Sequence, residues 1–148
     1  MKLIIITILL ASLTSMCGTE RDLETEHTEV IHEEHPQELA LNGTERWKAD
    51  EPTNRHMAQL QGMVQEFNAQ AEHTSAGAYN DLGQAMKAEM QQLFKDCRMK
   101  GPDHDMLHVY LMPLVEDVNL LAGNDEHQSE EAFARVSARL KEYNQYFE

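Results

Sequence analysis

The residues best suited to chemistry fall within one short stretch, residues 97 to 108. Cys97, Met99, His104 and His108 bring thiol, thioether and imidazole groups together within twelve residues. These are soft to borderline ligands, which favour Cu(I) over Mg²⁺ or Ca²⁺. His104 and His108 are four residues apart, a spacing that places two side chains on one face of a helix. The stretch is therefore a candidate site for a soft metal ion, with copper as the leading candidate.

Two more ligands could come from His56 and Met57, which are adjacent at the start of the first predicted helix. In a bundle of four antiparallel helices, that start lies beside the end of the second helix. A purely structural interpretation stands beside this one. Methionine is a common core filler, and free cysteine is among the most buried residue types. In that interpretation Cys97 and the methionines are packing residues, or the corner is a groove for a small ligand or a partner.

Most other catalytic and cofactor patterns are missing from the sequence. It has no glycine-rich phosphate loop, no Gly-x-Ser-x-Gly and no His-Glu-x-x-His. Di-iron bundles carry two Glu-x-x-His helices, and Asp105-x-x-His108 is only a single imperfect imitation. No base and nucleophile stand at a recognisable spacing. The sequence thus predicts a protein that is not an enzyme.

Four amphipathic segments must position these residues. Apolar residues recur in each at alternating steps of three and four, which is the period of one helix face. The four stripes are Met57, Leu60, Val64, Phe67 and Ala71; Tyr79, Leu82, Met86, Met90, Leu93 and Cys97; His104, Leu107, Leu111, Leu114, Val118 and Leu121; Phe133, Val136, Leu140, Tyr143 and Phe147. Short loops between them predict an all-α, antiparallel up-down-up-down four-helix bundle over residues 50–148.

Local residues mark where these helices begin and end. Asp50 and Pro52 are typical of a first turn. Gly101 is expected to take the C-cap role after the second helix, and Asp103 to cap the third. Residues 39–49 form a lead-in, where Asn42-Gly43 predicts a hairpin-like turn before Trp47.

The start of the chain has the order of an export signal. A basic Met1-Lys2 precedes an apolar run that is too short to span a membrane, and Cys17 follows. Residues 13–17, Leu-Thr-Ser-Met-Cys, resemble a relaxed bacterial lipobox, although Met16 replaces the usual small residue. The resemblance implies a signal peptide over 1–16 and a Cys17 that carries acyl chains such as palmitate. It also implies a lipoprotein anchored to a bacterial membrane in the cell envelope, facing the periplasm or the surface.

The acidic net charge limits the classes of partner that the chain can bind. The formal net charge is -14, so the chain should repel nucleic acid phosphates. Residues 17–38 are rich in Asp and Glu and poor in apolar residues, which predicts a disordered linker after the lipidated cysteine. His27, His32 and His35 could hold a divalent ion weakly, but a solvated tether is the simpler interpretation. An envelope protein, a metal ion and the membrane itself remain the expected partners.

Overall fold

The computed structural model describes residues 38–70 and 75–148. The predicted signal peptide, Cys17 and the acidic linker up to residue 37 lie outside the described residues. The described chain forms four α-helices: α1 (Glu51–Ala69), α2 (Ala76–Asp96), α3 (Pro102–Leu121) and α4 (Glu126–Tyr146). The prediction of an all-α, four-helix protein is confirmed. Among the described helices, none combines the length and the hydropathy that a membrane span requires.

Polar side chains start three of the four helices. The Asp50 carboxylate accepts a hydrogen bond from the Thr53 amide at 2.9 Å and so caps α1. The Ser75 hydroxyl accepts one from the Ala78 amide at 3.2 Å and caps α2. Asp125 does the same for α4. Each cap satisfies a backbone donor that has no partner inside its helix, and each therefore fixes where the helix begins.

The turn between α2 and α3 corrects two predictions. Helix α2 ends at Asp96 with Cys97 as its C-cap, so Gly101 does not take that role. Gly101 instead precedes α3 with a φ of 70°, and no side chain caps that helix. Pro102 begins the helix because a proline needs no hydrogen-bond partner at the first position. Asp103 then lies in the first turn, where its carboxylate accepts the Lys48 amide at 3.1 Å.

Side-chain contacts join the ends of consecutive helices. Phe67 near the end of α1 contacts Tyr79 near the start of α2, with ring centroids 5.4 Å apart. The Asn80 side-chain amide, at the start of α2, donates to the Ala122 carbonyl after α3 at 2.6 Å. Ser129 in the first turn of α4 donates weakly to Leu121 at 3.4 Å. These contacts pack each helix against the next one along the chain.

The predicted apolar stripes form the core. Most of their members are buried, and the fully enclosed ones include Met57, Leu60, Met86, Leu93, Leu107, Leu111, Leu114, Leu121 and Leu140. Met106 and Tyr110 join them, although neither lies on the predicted stripe of α3. The Tyr110 hydroxyl donates to the Arg139 carbonyl at 2.7 Å, so its buried polar atom is satisfied.

The lead-in joins the two ends of the described body. Asn42 and Glu45 exchange two backbone hydrogen bonds of 3.0 and 3.1 Å around a turn in which Gly43 has a φ of 65°. The Trp47 amide then donates to the Tyr146 carbonyl at 2.7 Å, and the Glu148 amide donates to the Trp47 carbonyl at 2.9 Å. The chain end is thereby fastened beside the start of α1, at the same end of the bundle as the turn between α2 and α3.

Candidate metal site

A pocket of about 300 Å³ opens between the end of α2 and the start of α3. We call it the corner pocket. Its lining consists of Leu93, Phe94, Cys97, His104, Leu107, His108 and Leu111. Three of the six predicted metal ligands, Cys97, His104 and His108, thus share one cavity. His104 and Cys97 are half-buried and His108 is exposed, so the pocket is open to solvent on the side of the histidines.

The two histidines converge. Their Nε2 atoms are 3.2 Å apart, and their rings meet edge to face with centroids separated by 4.5 Å. One ring donates to the other, because a neutral imidazole has one donor and one acceptor nitrogen. Metal–imidazole bonds of ~2.0–2.1 Å to two nitrogens at this separation would meet at roughly 100°, close to the tetrahedral angle. The pair is therefore spaced to hold one ion in place of their hydrogen bond.

The chain at the end of α2 holds Cys97 at the pocket. Its amide donates to the Leu93 carbonyl at 2.9 Å, which closes the last turn of α2. The next amide, of Arg98, donates to the Asp50 carboxylate at 2.7 Å. Burial alone would raise the pKa of Asp50, but the hydrogen bonds from Thr53 and Arg98 outweigh it and lower that pKa. Cys97 carries a free, half-buried thiol.

The structure does not bring the other three predicted ligands to this pocket. Met57 is fully enclosed in the core, where it contacts no solvent. Met99 is half-buried and packs against the core, but it does not line the cavity. His56 is buried at 6% exposure, and both of its ring nitrogens face carboxylates.

His56 belongs to a separate cluster that links α1 to α2. Its Nδ1 lies 2.6 Å from Glu89 Oε1, and its Nε2 lies 3.2 Å from Asp96 Oδ2. The hydrogen bond to Glu89 raises the pKa of His56, burial opposes it, and the hydrogen bond to Asp96 raises the pKa further. A protonated imidazole can donate to both carboxylates at once. The two carboxylates engage both ring nitrogens of His56 and so link α1 to α2, which leaves neither nitrogen facing the corner pocket.

Sequence reasoning missed this cluster. Glu89 and Asp96 are seven residues apart, so they lie on one face of α2 two turns from each other. His56 sits one position from the apolar stripe of α1. The sequence signal that could have revealed the cluster was a histidine beside the apolar stripe of α1, together with two acidic residues on one face of α2.

Among the residues that the structure describes, no three His, Cys, Asp or Glu side chains are close enough as they stand to hold a metal ion together. No protein-family model matches the chain, and comparison with curated proteins and with solved structures found no match.

Proposed function

We propose that this protein is a non-enzymatic metal-binding protein that holds a soft ion, copper above all, in the corner pocket. The observation that carries the proposal is the 3.2 Å approach of His104 Nε2 and His108 Nε2 in a cavity that Cys97 also lines. A thiolate and two imidazoles form a set that suits Cu(I) and Zn²⁺ and is poor for Mg²⁺ or Ca²⁺. Its role would be to sequester the ion or to transfer it.

Binding requires the side chains of Cys97 and the two histidines to move closer together, because they do not form a metal-binding group as they stand. It also requires two changes in protonation. The Cys97 thiol must lose its proton, since the thiolate is the ligand. The histidine that donates in the free protein must carry its proton on Nδ1 instead, so that both Nε2 lone pairs face the ion. Protons compete with metal at all three groups, so affinity should fall as the pH is lowered.

The envelope location is a proposal of its own. It rests on the order of basic, apolar and cysteine residues at positions 1–17. A lipid anchor on Cys17 would keep the bundle at the membrane, with the acidic linker as spacer. A pool of copper held there would be separated from the cytoplasm.

Competition titration tests the metal site. The full-length chain is titrated with Cu(I) under reducing, anaerobic conditions against a chelator of known affinity. The double variant His104→Ala/His108→Ala and the single variant Cys97→Ser should each bind Cu(I) at least about tenfold more weakly. Substituting even the hydrogen-bond partners of metal ligands typically weakens metal affinity by about 10–100-fold.

Two controls match these variants. His127→Ala removes an exposed histidine on α4 that lies 3.7 Å from Glu131. The triple variant His27→Ala/His32→Ala/His35→Ala removes the histidines of the linker. Both should bind Cu(I) like the wild type. Equal affinity in the wild type, the double variant and Cys97→Ser would overturn the proposal.

The second candidate is an interaction or structural lipoprotein that docks a partner. Phe94 favours it, because this large aromatic side chain beside the corner pocket is 45% exposed. With a net charge of -14, the partner would be a basic envelope protein. In this case Cys97→Ser would lower the free energy of unfolding, because it places a poorly satisfied hydroxyl at a packed position, and Cu(I) affinity would not change.

A further inference from the structure

A second cavity, of about 120 Å³, lies between α2 and α3 beside the corner pocket. We call it the side groove. Met90 and Val118 line it as buried residues and form its floor, and the half-buried Val115 and the 45% exposed Phe94 form its walls. Phe94 also lines the corner pocket, so the two cavities adjoin at its ring. An apolar molecule in the side groove would cover this ring and remove its surface from water, which favours binding.

The polar residues of the side groove determine which charge a ligand should carry. They are Lys87, Gln91 and Asn119, and none of the lining residues is acidic. Lys87 is half-buried, whereas the other four lysines in the described part of the chain are exposed. Among the described residues, no side chain or carbonyl forms a hydrogen bond or ion pair with its ammonium group. A half-buried cation without a counter-ion, next to an apolar floor, favours a ligand with an anionic head and an apolar body.

We propose that the side groove binds one fatty acid, with its carboxylate on Lys87 and its alkyl chain directed along the groove toward Phe94. These two residues are seven apart on one face of α2, which corresponds to roughly 10 Å along the helix axis. The ammonium group would donate charge-assisted hydrogen bonds to the carboxylate. One cation and room for one chain favour a free fatty acid over a diacyl phospholipid. The site uses none of the proposed metal ligands, so it stands or fails independently of the metal site.

The test is isothermal titration calorimetry of the full-length chain at neutral pH with hexanoate, octanoate and decanoate below their micelle concentrations. The uncharged 1-octanol serves as a probe that lacks the carboxylate. Lys87→Gln removes the proposed cation. Lys95→Gln is the matched control, because it makes the same change of charge on the same helix at an exposed lysine that lines neither cavity. Phe94→Ala removes one wall of the groove, and urea unfolding checks the fold of each variant.

The wild type should bind longer chains more tightly, by about twofold for each added methylene group. A fully buried methylene is worth about fourfold in affinity, and the groove covers the chain on one side only. Lys87→Gln should weaken octanoate binding about fivefold, the upper end for a solvent-accessible ion pair, while leaving 1-octanol binding unchanged. Lys95→Gln should bind both probes like the wild type. Phe94→Ala should weaken decanoate binding more than hexanoate binding, because the longer chain is the one that extends to the ring.

Three results of the titrations would overturn the inference. They are an equal octanoate affinity in Lys87→Gln and the wild type, an equal loss in both lysine variants, and an affinity that does not depend on chain length. The same chain is also mixed with phosphatidylglycerol vesicles. Binding to these vesicles without binding of decanoate would overturn the inference as well, because this face would then recognise a lipid surface and not a single fatty acid.

Discussion

Gly83 of α2 lies in close contact with the chain that follows α3, and an alanine there should disturb the packing of α2 against α3. A Cβ atom at this position would lie 2.4 Å from the Ala122 nitrogen, 2.6 Å from its Cα and 2.8 Å from its Cβ. Ala122 cannot simply move aside. Its amide donates to the Val118 carbonyl at 3.1 Å, and its carbonyl accepts the Asn80 amide at 2.6 Å.

The expected change in the free energy of unfolding for Gly83→Ala is the sum of two opposing effects. Replacing glycine by alanine inside a helix gains up to about 1 kcal/mol from backbone propensity. Forcing a methyl group into a packed position against backbone costs about 3 kcal/mol, the upper end of the usual range. Gly83→Ala should therefore destabilise the protein by about 2 kcal/mol.

Gly62→Ala is the matched control, because no atom lies within 4 Å of a Cβ built at this position in α1. Gly62→Ala should raise the free energy of unfolding by about 1 kcal/mol through helix propensity alone. The free energies of unfolding of the two variants should therefore differ by about 3 kcal/mol. Urea unfolding followed by circular dichroism measures both. If Gly83→Ala is as stable as the wild type, α2 and the chain after α3 are not as close as described, and this packing of α2 against α3 is contradicted.

Three further predictions address the core, the charged cluster and the anchor. Leu111→Ala and Leu140→Ala, each 1% exposed, should each lower the free energy of unfolding by about 2–5 kcal/mol in urea titrations, and a loss near zero would place the residue outside the core. The raised pKa of His56 means that the protonated ring stabilises the fold below its ordinary pKa of ~6.5, and that this stability is lost as the pH rises through the raised value. As the pH rises above the ordinary pKa of ~6.5, unfolding in urea should show the wild type losing stability relative to His56→Gln, and parallel pH profiles would argue against a charged ring. Cys17→Ala should release the protein from membrane fractions or block its maturation, and unchanged membrane association would contradict a lipid anchor.

Much of the fold follows from periodicity in the sequence. Helices α1 and α4 could be predicted because apolar residues recur at nearly every third or fourth position, which forms one apolar face that a helix can bury. Tyr110 was missed because it lies beside the stripe. Its burial depends on packing against the rings of Tyr143 and Phe147 and on the hydrogen bond from its hydroxyl to Arg139 on α4. Gly101 was assigned to the wrong helix end, since a glycine before a proline can end one helix or begin the next.

The candidate site was predictable in part for a similar reason. His104 and His108 share one helix, so their spacing alone fixes their approach. Cys97 follows because a short turn joins its helix to theirs. His56 and Met57 lie on another helix, and whether they reach the pocket depends on its rotation about its own axis, which a sequence does not specify. In the structure the carboxylates of Glu89 and Asp96 pair with His56, and this pairing keeps His56 out of the pocket.

The most direct test of the central claim is copper K-edge X-ray absorption on the full-length chain loaded with substoichiometric Cu(I). The account predicts a coordination shell that contains both sulfur and imidazole nitrogen, and that loses the imidazole contribution in His104→Ala/His108→Ala. A shell that is unchanged by this double substitution would show that copper binds elsewhere, and would contradict a metal site in the corner pocket.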